Sequence, residues 1–146
     1  MRALVQRVSR ACVRVAPSAP AGEPETIARI GPGLVVLLGV APGDGEQTAD
    51  RLAEKVRALR IFADARGAMN DALGDREILC VSQFTLFADT RHGNRPSFGA
   101  AAAPALAEPL YERVCERLGA ARGRFGAHME IDLTADGPVT ILLEVT

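Results

Sequence analysis

An apolar run that turns polar before it ends constrains the fold of this chain more than any other stretch. Residues Ile78–Val81 are all apolar, which is typical of a strand buried on both faces. Polar side chains then follow at Ser82, Gln83 and Thr85, with Phe84 between them. An unpaired polar group in a protein interior costs about 1–3 kcal/mol, so these side chains need partners. A ligand bound at the end of the strand is one such partner.

The residues that follow this strand form a basic and irregular loop. The Gly-Asn pair at 93–94 signals a turn, and Pro96 favours an extended conformation at Arg95. Together with Arg91 and His92, this loop places positive charge beside the polar strand end, which indicates a site for an anionic ligand. On composition alone, a core strand followed by a solvated loop accounts for the same stretch.

The length of 146 residues predicts a single domain, residues 1–146, and 48% hydrophobic with 24% charged residues is ordinary for a globular domain. No apolar run reaches the roughly 18–20 residues of a membrane span. Arg7, Arg10 and Arg14 interrupt any candidate signal peptide. We therefore expect a cytoplasmic protein that does not enter a membrane.

Charge and cysteine spacing exclude further classes of function. A net charge of −1 argues against general nucleic-acid binding, although a local patch of basic side chains could still contact one RNA end. The three cysteines are far apart and lack metal-ligand spacing, so we predict no zinc site and no disulfide framework. We expect all three to be buried as small hydrophobic residues: Cys12, Cys80 and Cys115.

Apolar patterning predicts the first half of the fold. Ala3–Val8 reads as a strand, and the alternation over residues 10–15 is typical of a strand with one solvated face. The run Leu34–Val40 is the best candidate for a central strand. Asp44 and Gln47 match a capping pattern, which predicts a helix that ends near residue 60.

A second helix is predicted after residue 103 by apolar residues at helical spacing, namely Leu106, Leu110, Val114 and Leu118. Pro104 suits its first turn. Pro109 would remove a hydrogen bond inside the helix and clash with the preceding turn, at a cost of about 3 kcal/mol. The helix therefore starts near Glu108 or is kinked at Pro109.

The C-terminal part predicts two strands, His128–Leu133 and Val139–Val145, joined by residues 136–138 as a hairpin or a tight crossover. The proline-rich segment 16–26 is predicted to be an irregular loop. Strands outnumber helices by about seven to two, which favours an α+β domain with the helices on one side of curled sheets.

Four short motifs give the chain a family resemblance: QRV at 6–8, SQFTL at 82–86, GNRPSF at 93–98 and DGPVT at 136–140. In this order and at this chain length, they resemble D-aminoacyl-tRNA deacylases from Met1 to about Glu144. Such enzymes hydrolyse the ester that joins a D-amino acid, or misplaced glycine, to tRNA. The resemblance implies a β/β/α layered, barrel-like fold, a homodimer, and no metal or organic cofactor.

The resemblance also implies roles for the strand end. Ser82, Gln83, Phe84 and Thr85 would line a pocket, with Ser82 and Gln83 contacting the terminal adenosine and Phe84 shaping the floor. Catalysis would depend on main-chain atoms and on the 2′-hydroxyl of the substrate. Thr85 would position the substrate rather than attack it. The basic loop would support the site or contact RNA through Arg95, Pro96, Ser97 and Phe98.

The pair Gly137-Pro138 is the selectivity element that the resemblance implies. The residues alone favour a trans turn, since only about 5–6% of X-Pro bonds in folded proteins are cis. The family places a cis pair in the partner subunit's pocket, where its carbonyl oxygens collide with an L side chain. Arg7 would hold this turn. Ala135 stands where the family usually has Asn, which weakens the expected support of the turn.

Two other functions fit the residues. A nucleophilic Ser82 or Thr85 would need a base, and the only histidines are His92 and His128. A small-ester hydrolase with Thr85 as nucleophile is therefore one alternative. A module that binds a tRNA end or a nucleotide without hydrolysis is the other, because no pair of a side-chain nucleophile and its base stands out. No spacing couples a pair of carboxylates.

Overall fold

Strand β1 (Arg2–Val15) organises the sheet because it pairs along both of its edges. A computed structural model describes residues 1–17 and 22–146. One edge of β1 pairs antiparallel first with β3 (Gly33–Gly39) and then with β2 (Glu25–Ile30). The other edge pairs antiparallel with β8 (Met129–Glu144). Residues 18–21 of the predicted loop lie outside the described part, and its last two residues already belong to β2.

The remaining elements complete a mixed sheet and a helical layer. β6 (Glu77–Ser82) lies parallel to β3, and β7 (Ala121–Arg122) lies parallel to β6, which gives the order β2-β1-β3-β6-β7 with β8 on β1. The elements are, in chain order, α1 (Glu46–Ala58), β4 (Phe62–Ala63), β5 (Met69–Asp71), β6 (Glu77–Ser82), α2 (Pro104–Leu118) and β7 (Ala121–Arg122). β4 and β5 form a separate small hairpin.

The sheet curls so that β3 and β6 are covered on both faces. Leu34 and Val36 face a core shared with the two helices, whereas Val35 and Leu79 face a second core formed with β2 and parts of β1 and β8. Strands covered on both faces need apolar residues at consecutive positions, which explains the unbroken runs in the sequence. The predicted α+β class and β/β/α layering are confirmed.

β1 passes from one layer to the other. Val5 belongs to the core beneath the helices, whereas Val8, Ala11 and Val13 belong to the second core. Val8 and Ala11 are three residues apart but face the same core, so the side chains do not alternate strictly between the two faces here. At the same place, the register of the pairing with β8 shifts between Val8 and Arg10. Such a shift changes which face a side chain occupies and bends the strand. This bend lets one strand serve both sheet layers.

The predicted cap of α1 is wrong. The cap residue is Gly45, without a side-chain hydrogen bond to the helix, and α1 ends at Ala58. The Asp44 carboxylate instead accepts hydrogen bonds of 2.7 Å from the Met1 α-amino group and from the Ala41 backbone N–H. The Met1 amino group is fully buried, and its positive charge needs a partner there. It pairs with the Asp44 carboxylate, which is then not available to cap the helix.

Helix α2 begins at Pro104 and continues through Pro109 to Leu118, so the later start near Glu108 is wrong. Pro109 is exposed, and so is Ala105, whose carbonyl loses its helical partner. Water can therefore satisfy that carbonyl. Leu106, predicted to face the core, is 38% exposed, and Ala107 is buried instead.

The predicted hairpin at residues 136–138 is also wrong, because β8 is one strand. Ala135 pairs with Val8 and Thr140 pairs with Gln6, so residues 136–139 lie opposite the single residue Arg7. The Gly-Pro segment is thus a bulge in a long edge strand rather than a reversal of the chain. Since β1 has 14 residues, it can hold both halves of β8 on one edge.

Cysteine burial and membrane segments were also predicted from sequence. Cys80 and Cys115 are buried, as expected, but Cys12 is only partly buried because it lies on the solvated face of β1. All three thiols are free. Within residues 1–17 and 22–146, no helix is long and apolar enough to cross a membrane.

Asp50 on α1 joins the two helices. Its carboxylate oxygens lie 2.8 Å from Arg113 Nε and 2.9 Å from Arg117 Nη2. Hydrogen bonds from Arg113 and then from Arg117 hold the pKa of Asp50 well below its usual range. A lowered pKa in the folded state stabilises the fold above the unfolded-state pKa of about 3.9, and this stabilisation is lost as the pH falls through the folded-state pKa.

We predict that Asp50→Asn lowers the thermal unfolding midpoint by a few degrees at pH 7, because two arginines lose their carboxylate. The difference from wild type should persist at pH 5 and shrink progressively below about pH 4, where the Asp50 carboxyl of the unfolded wild-type chain becomes protonated while the folded one stays ionised. Calorimetry over this pH range measures the difference between the unfolding midpoints of the two proteins. Glu54→Gln on the same helix is the matched control, and an equal shift in both variants would contradict the role of the Asp50 ion pairs.

Candidate functional site

The polar strand end leaves the sheet earlier than the sequence predicts. β6 ends at Ser82, and Phe84–Phe87 form a short 3-10 helix with Gln83 as its cap residue. The Gln83 backbone N–H still donates to the Leu38 carbonyl of β3, at 2.7 Å. Leaving the sheet brings these polar side chains to the surface, where Ser82 and Gln83 are half-buried and Thr85 is exposed. In the free protein, these polar side chains therefore find their hydrogen-bond partners in solvent and in one another.

The start of the 3-10 helix presents two backbone donors. The first hydrogen bond of the turn runs from Leu86 N–H to the Gln83 carbonyl, so the N–H groups of Phe84 and Thr85 precede it. Neither N–H has a hydrogen-bond acceptor among the described residues. Beside them, Gln83 Nε2 donates to Thr85 Oγ1. Adjacent free N–H groups are the kind of donor that stabilises a developing oxyanion.

A cavity of about 560 Å³ opens beside this strand end. Its lining includes Ser82, Gln83 and Phe84 from the strand end and residues 125–129 from the segment before β8. Buried residues of β3 and α2, including Leu38 and Ala107, form its apolar floor. Small-molecule sites in proteins have volumes of about 300–1,000 Å³ and are mostly apolar with a few polar groups. This cavity meets both criteria.

Phe84 does not form the floor that was expected of it. Its side chain is 57% exposed, and it packs edge-on against Phe98, with ring centroids 5.0 Å apart. Both rings line the cavity. The two rings lie at the rim of the cavity because the chain turns outward after Gln83. If β6 had continued as a strand, Phe84 would have stayed inside the sheet.

Tyr111 is a site residue that sequence reasoning missed. It lines the cavity at 2% exposure, and its hydroxyl donates to the Cys80 carbonyl at 3.0 Å, with the Gly123 carbonyl 3.4 Å away. Burial raises the pKa of Tyr111, so the hydroxyl keeps its proton and remains a donor. It links β6 to the segment after β7. The signal was available, since this single tyrosine lies beside Leu110 on the apolar face of α2.

The basic loop stands next to the cavity. Asp89 and Ser97 exchange two backbone hydrogen bonds of 2.8 and 2.9 Å, which close the base of the loop. Hydrogen bonds from the Arg91 side chain and backbone lower the pKa of Asp89. Arg95, Pro96 and Ser97 are exposed and do not line the cavity, whereas Phe98 does.

Arg7 braces the Gly-Pro bulge. Its Nε lies 3.1 Å from the Asp136 carbonyl oxygen and 3.3 Å from an Asp136 carboxylate oxygen, while Nη1 donates to the Ile61 carbonyl. The Gly137-Pro138 bond is cis, and Gly137 has a φ of +123°. A Cβ on Gly137 would lie 3.1 Å from Arg7 Nη2, so glycine is required there for space as well as for conformation. The exposed bulge does not line the cavity of its own chain.

No side-chain nucleophile with a base is assembled. His92 is exposed on the loop, and His128 lies at the cavity wall. Among the described residues, neither histidine hydrogen-bonds to Ser82 or Thr85. In the same part of the chain, no group of three or more His, Cys, Asp or Glu side chains is placed to hold a metal ion. The backbone donors are the reactive feature that remains.

Comparisons with known proteins agree with this geometry. The D-Tyr-tRNA(Tyr) deacylase family model matches residues 4–144. A D-aminoacyl-tRNA deacylase of Dehalococcoides mccartyi is 54% identical over 99% of this chain and 94% of its own length. The one from Symbiobacterium thermophilum is 52% identical, with 99% and 95% covered.

Two solved structures share the fold. The protein described as c-Myc DNA Unwinding Element Binding Protein has a TM-score of 0.88 at 38% identity, with 99% of this chain and 98% of that chain covered. A probable eukaryotic D-amino acid tRNA deacylase has a TM-score of 0.79 at 15% identity, covering 97% of each chain, which shows likeness of fold. The family resemblance seen in the sequence is confirmed by the family model and by the curated relatives. The chain belongs to the D-Tyr-tRNA(Tyr) deacylase family.

Proposed function

We propose that this protein hydrolyses the ester between a D-amino acid, or mischarged glycine, and the 3′ end of tRNA. One observation carries the proposal: in a chain of this family, two adjacent free backbone N–H groups follow the end of β6, and the first belongs to Phe84, which lines an apolar cavity. Relatives that match over nearly the full length are named D-aminoacyl-tRNA deacylases. Its expected location is the cytoplasm, where aminoacyl-tRNA is used.

The reaction needs stabilisation of charge more than a strong nucleophile, because an aminoacyl ester is already reactive. Water adds to the ester carbonyl carbon, and the carbonyl electrons move to oxygen. The N–H groups of Phe84 and Thr85 donate to this oxyanion, and one such donor is typically worth a factor of about 10²–10³. Collapse expels the ribose 3′-oxygen. The neighbouring 2′-hydroxyl relays the proton that the water loses to this leaving oxygen.

The cavity holds the terminal adenosine in this proposal. Ser82 and Gln83 offer hydrogen-bonding groups to the nucleoside, and the apolar floor accepts the base. Thr85 has its hydroxyl tied to the Gln83 amide, which supports a positioning role rather than a nucleophilic one. Arg95, Pro96 and Ser97 contact or support the RNA outside the cavity, and Phe98 does so where it lines the cavity.

Chirality is selected by the Gly137-Pro138 bulge of a partner subunit in a homodimer. Three features support this: the bulge is exposed, it lies outside the cavity of its own chain, and Arg7 holds it from behind. Carbonyl oxygens placed against the α-carbon of the substrate leave room for hydrogen but not for an L side chain. The pocket then need not recognise the side chain of a D-amino acid. Ala135, opposite Val8, has no polar side chain with which to support the bulge.

The proposal is tested with D-tyrosyl-tRNA, L-tyrosyl-tRNA and glycyl-tRNA, by following ester loss without added metal. We expect rapid loss of the D-tyrosyl and glycyl esters and survival of the L-tyrosyl ester. Retention of all three esters together with tight binding of the tRNA end would instead identify a binding module. A solved relative at 38% identity is described as a DNA-binding protein, which gives that second function its support.

We predict that Thr85→Ala lowers kcat for D-tyrosyl-tRNA only about 2- to 12-fold. The change removes one positioning hydrogen bond, worth about 0.5–1.5 kcal/mol, and leaves the backbone donors in place. Single-turnover kinetics measure the chemical step. Thr90→Ala, at another exposed threonine nearby, is the matched control. A fall to the uncatalysed rate would make Thr85 the nucleophile and defeat the main-chain mechanism.

We predict that Arg7→Lys reduces the preference for D-tyrosyl over L-tyrosyl ester by roughly tenfold, because lysine cannot hold Asp136 and the Ile61 carbonyl at once. Initial rates on the two esters give the ratio. Arg10→Lys changes a nearby arginine whose side chain, among the described residues, hydrogen-bonds to Thr134 and not to the bulge, and it should leave the ratio unchanged. An unchanged ratio in Arg7→Lys would show that the braced bulge is not the chiral filter.

A further inference from the structure

The rim of the cavity carries two exposed aromatic rings that the proposed reaction does not use. Phe84 and Phe98 are 57% and 37% exposed and touch edge to face. They are two of five phenylalanines in the chain, and they come from segments on either side of the basic loop. Exposed adjacent apolar side chains at the edge of a pocket indicate a surface that binds something.

The charge around these rings is positive. Residues 90–98 contain Arg91 and Arg95 and no carboxylate. Arg91 is held by Asp89, with Nη2 2.6 Å from the carboxylate, whereas Arg95 is exposed and forms no ion pair with any residue in the described chain. The backbone bridge between Asp89 and Ser97 fixes the position of the loop directly before Phe98. A guanidinium without an ion pair among the described residues therefore lies three residues before Phe98 in the chain.

This combination matches single-stranded nucleic acid better than it matches a protein partner. Bases stack on aromatic rings whatever their identity, while arginine contacts the connecting phosphates. The cavity has room for the terminal nucleoside and its amino acid, so the RNA chain must leave across the rim. The nucleotide before the terminal adenosine then reaches the two rings first.

We propose that Phe84, Phe98 and Arg95 form a second subsite, which stacks the base of the nucleotide preceding the terminal adenosine and binds its phosphate. This inference rests on the proposed function for the identity of the RNA end. It extends the site from one nucleoside to two nucleotides. A protein with this subsite grips the single-stranded end itself and tolerates different tRNA bodies.

Binding of uncharged RNA tests the subsite without requiring hydrolysis. A CCA trinucleotide with a 5′ fluorescein is titrated by fluorescence anisotropy and competed with unlabelled CCA or adenosine. We expect CCA to bind more tightly than adenosine by about 5- to 150-fold, the range for stacking of one base. Phe98→Ala should bring this ratio close to one, and Phe98→Tyr should restore it because the ring is retained.

The phosphate contact is tested by salt dependence. Arg95→Gln should make the fall of CCA affinity with salt less steep by about 0.7 in the logarithmic slope, the value for one phosphate of a single strand. Arg66→Gln, at an exposed arginine in the turn between β4 and β5, is the control and should leave the slope unchanged. Circular dichroism and thermal unfolding establish that each variant is folded.

Three results would overturn the proposal. Wild-type protein could bind CCA no more tightly than adenosine, or Phe98→Ala could weaken both ligands by the same factor. A change of oligomeric mass in Phe98→Ala, measured by light scattering, with the CCA preference intact would show that a second copy of the chain covers the rings. Absence of a CCA preference in wild-type protein that hydrolyses D-tyrosyl-tRNA rejects this subsite alone. Failure of hydrolysis with a normal CCA preference rejects the proposed reaction alone.

Discussion

Coverage of β3 and β6 on both faces is the constraint on which the structure depends. Side chains such as Val36 and Cys80 pack beneath the helices, and Val35 and Leu79 pack against the outer sheet layer. Strands buried in this way cannot place polar side chains along their length without a cost of about 1–3 kcal/mol for each unpaired group. Polar residues can therefore appear only where such a strand ends. The chemistry of the site is placed at residue 82 because that is where β6 leaves the interior.

Sequence patterns predicted the elements whose environment is set locally. The unbroken apolar runs identified β3 and β6, and helical spacing identified α1 and α2. Prediction failed where a distant group decided the outcome. Asp44 has a capping pattern, but the buried amino group of Met1 claims its carboxylate. The Gly-Pro signal at 137–138 predicted a turn between two strands, but the pairing of β8 with the whole of β1 shows a bulge in one continuous strand.

The candidate site was also predicted only in part, because distant groups decide some of its features. Ser82, Gln83 and Phe84 of the SQFTL motif line the cavity, as the family resemblance implies, whereas Thr85 does not. The exposed position of Phe84 was not predicted, since the alternation after Val81 fits a strand as well as it fits a 3-10 helix. The outward turn at Gln83, with φ −146° and ψ 78°, moves the ring from the interior to the rim. The place of Tyr111 on the apolar face of α2 is visible in the sequence, but the β6 carbonyl to which its hydroxyl donates is not, so its role was missed.

Backbone atoms can select or stabilise a substrate only if their positions are fixed, because they have no rotamers with which to adjust. At the strand end, the Gln83 N–H bond to Leu38 supplies this rigidity. At the bulge, Arg7 supplies it by joining Asp136 to the Ile61 carbonyl after α1. The planar guanidinium offers several donors in fixed directions, whereas a lysine offers one flexible point charge. An arginine whose side chain is only 16% exposed, in a strand paired along both edges, therefore fits a chain in which main-chain groups are proposed to do the chemistry.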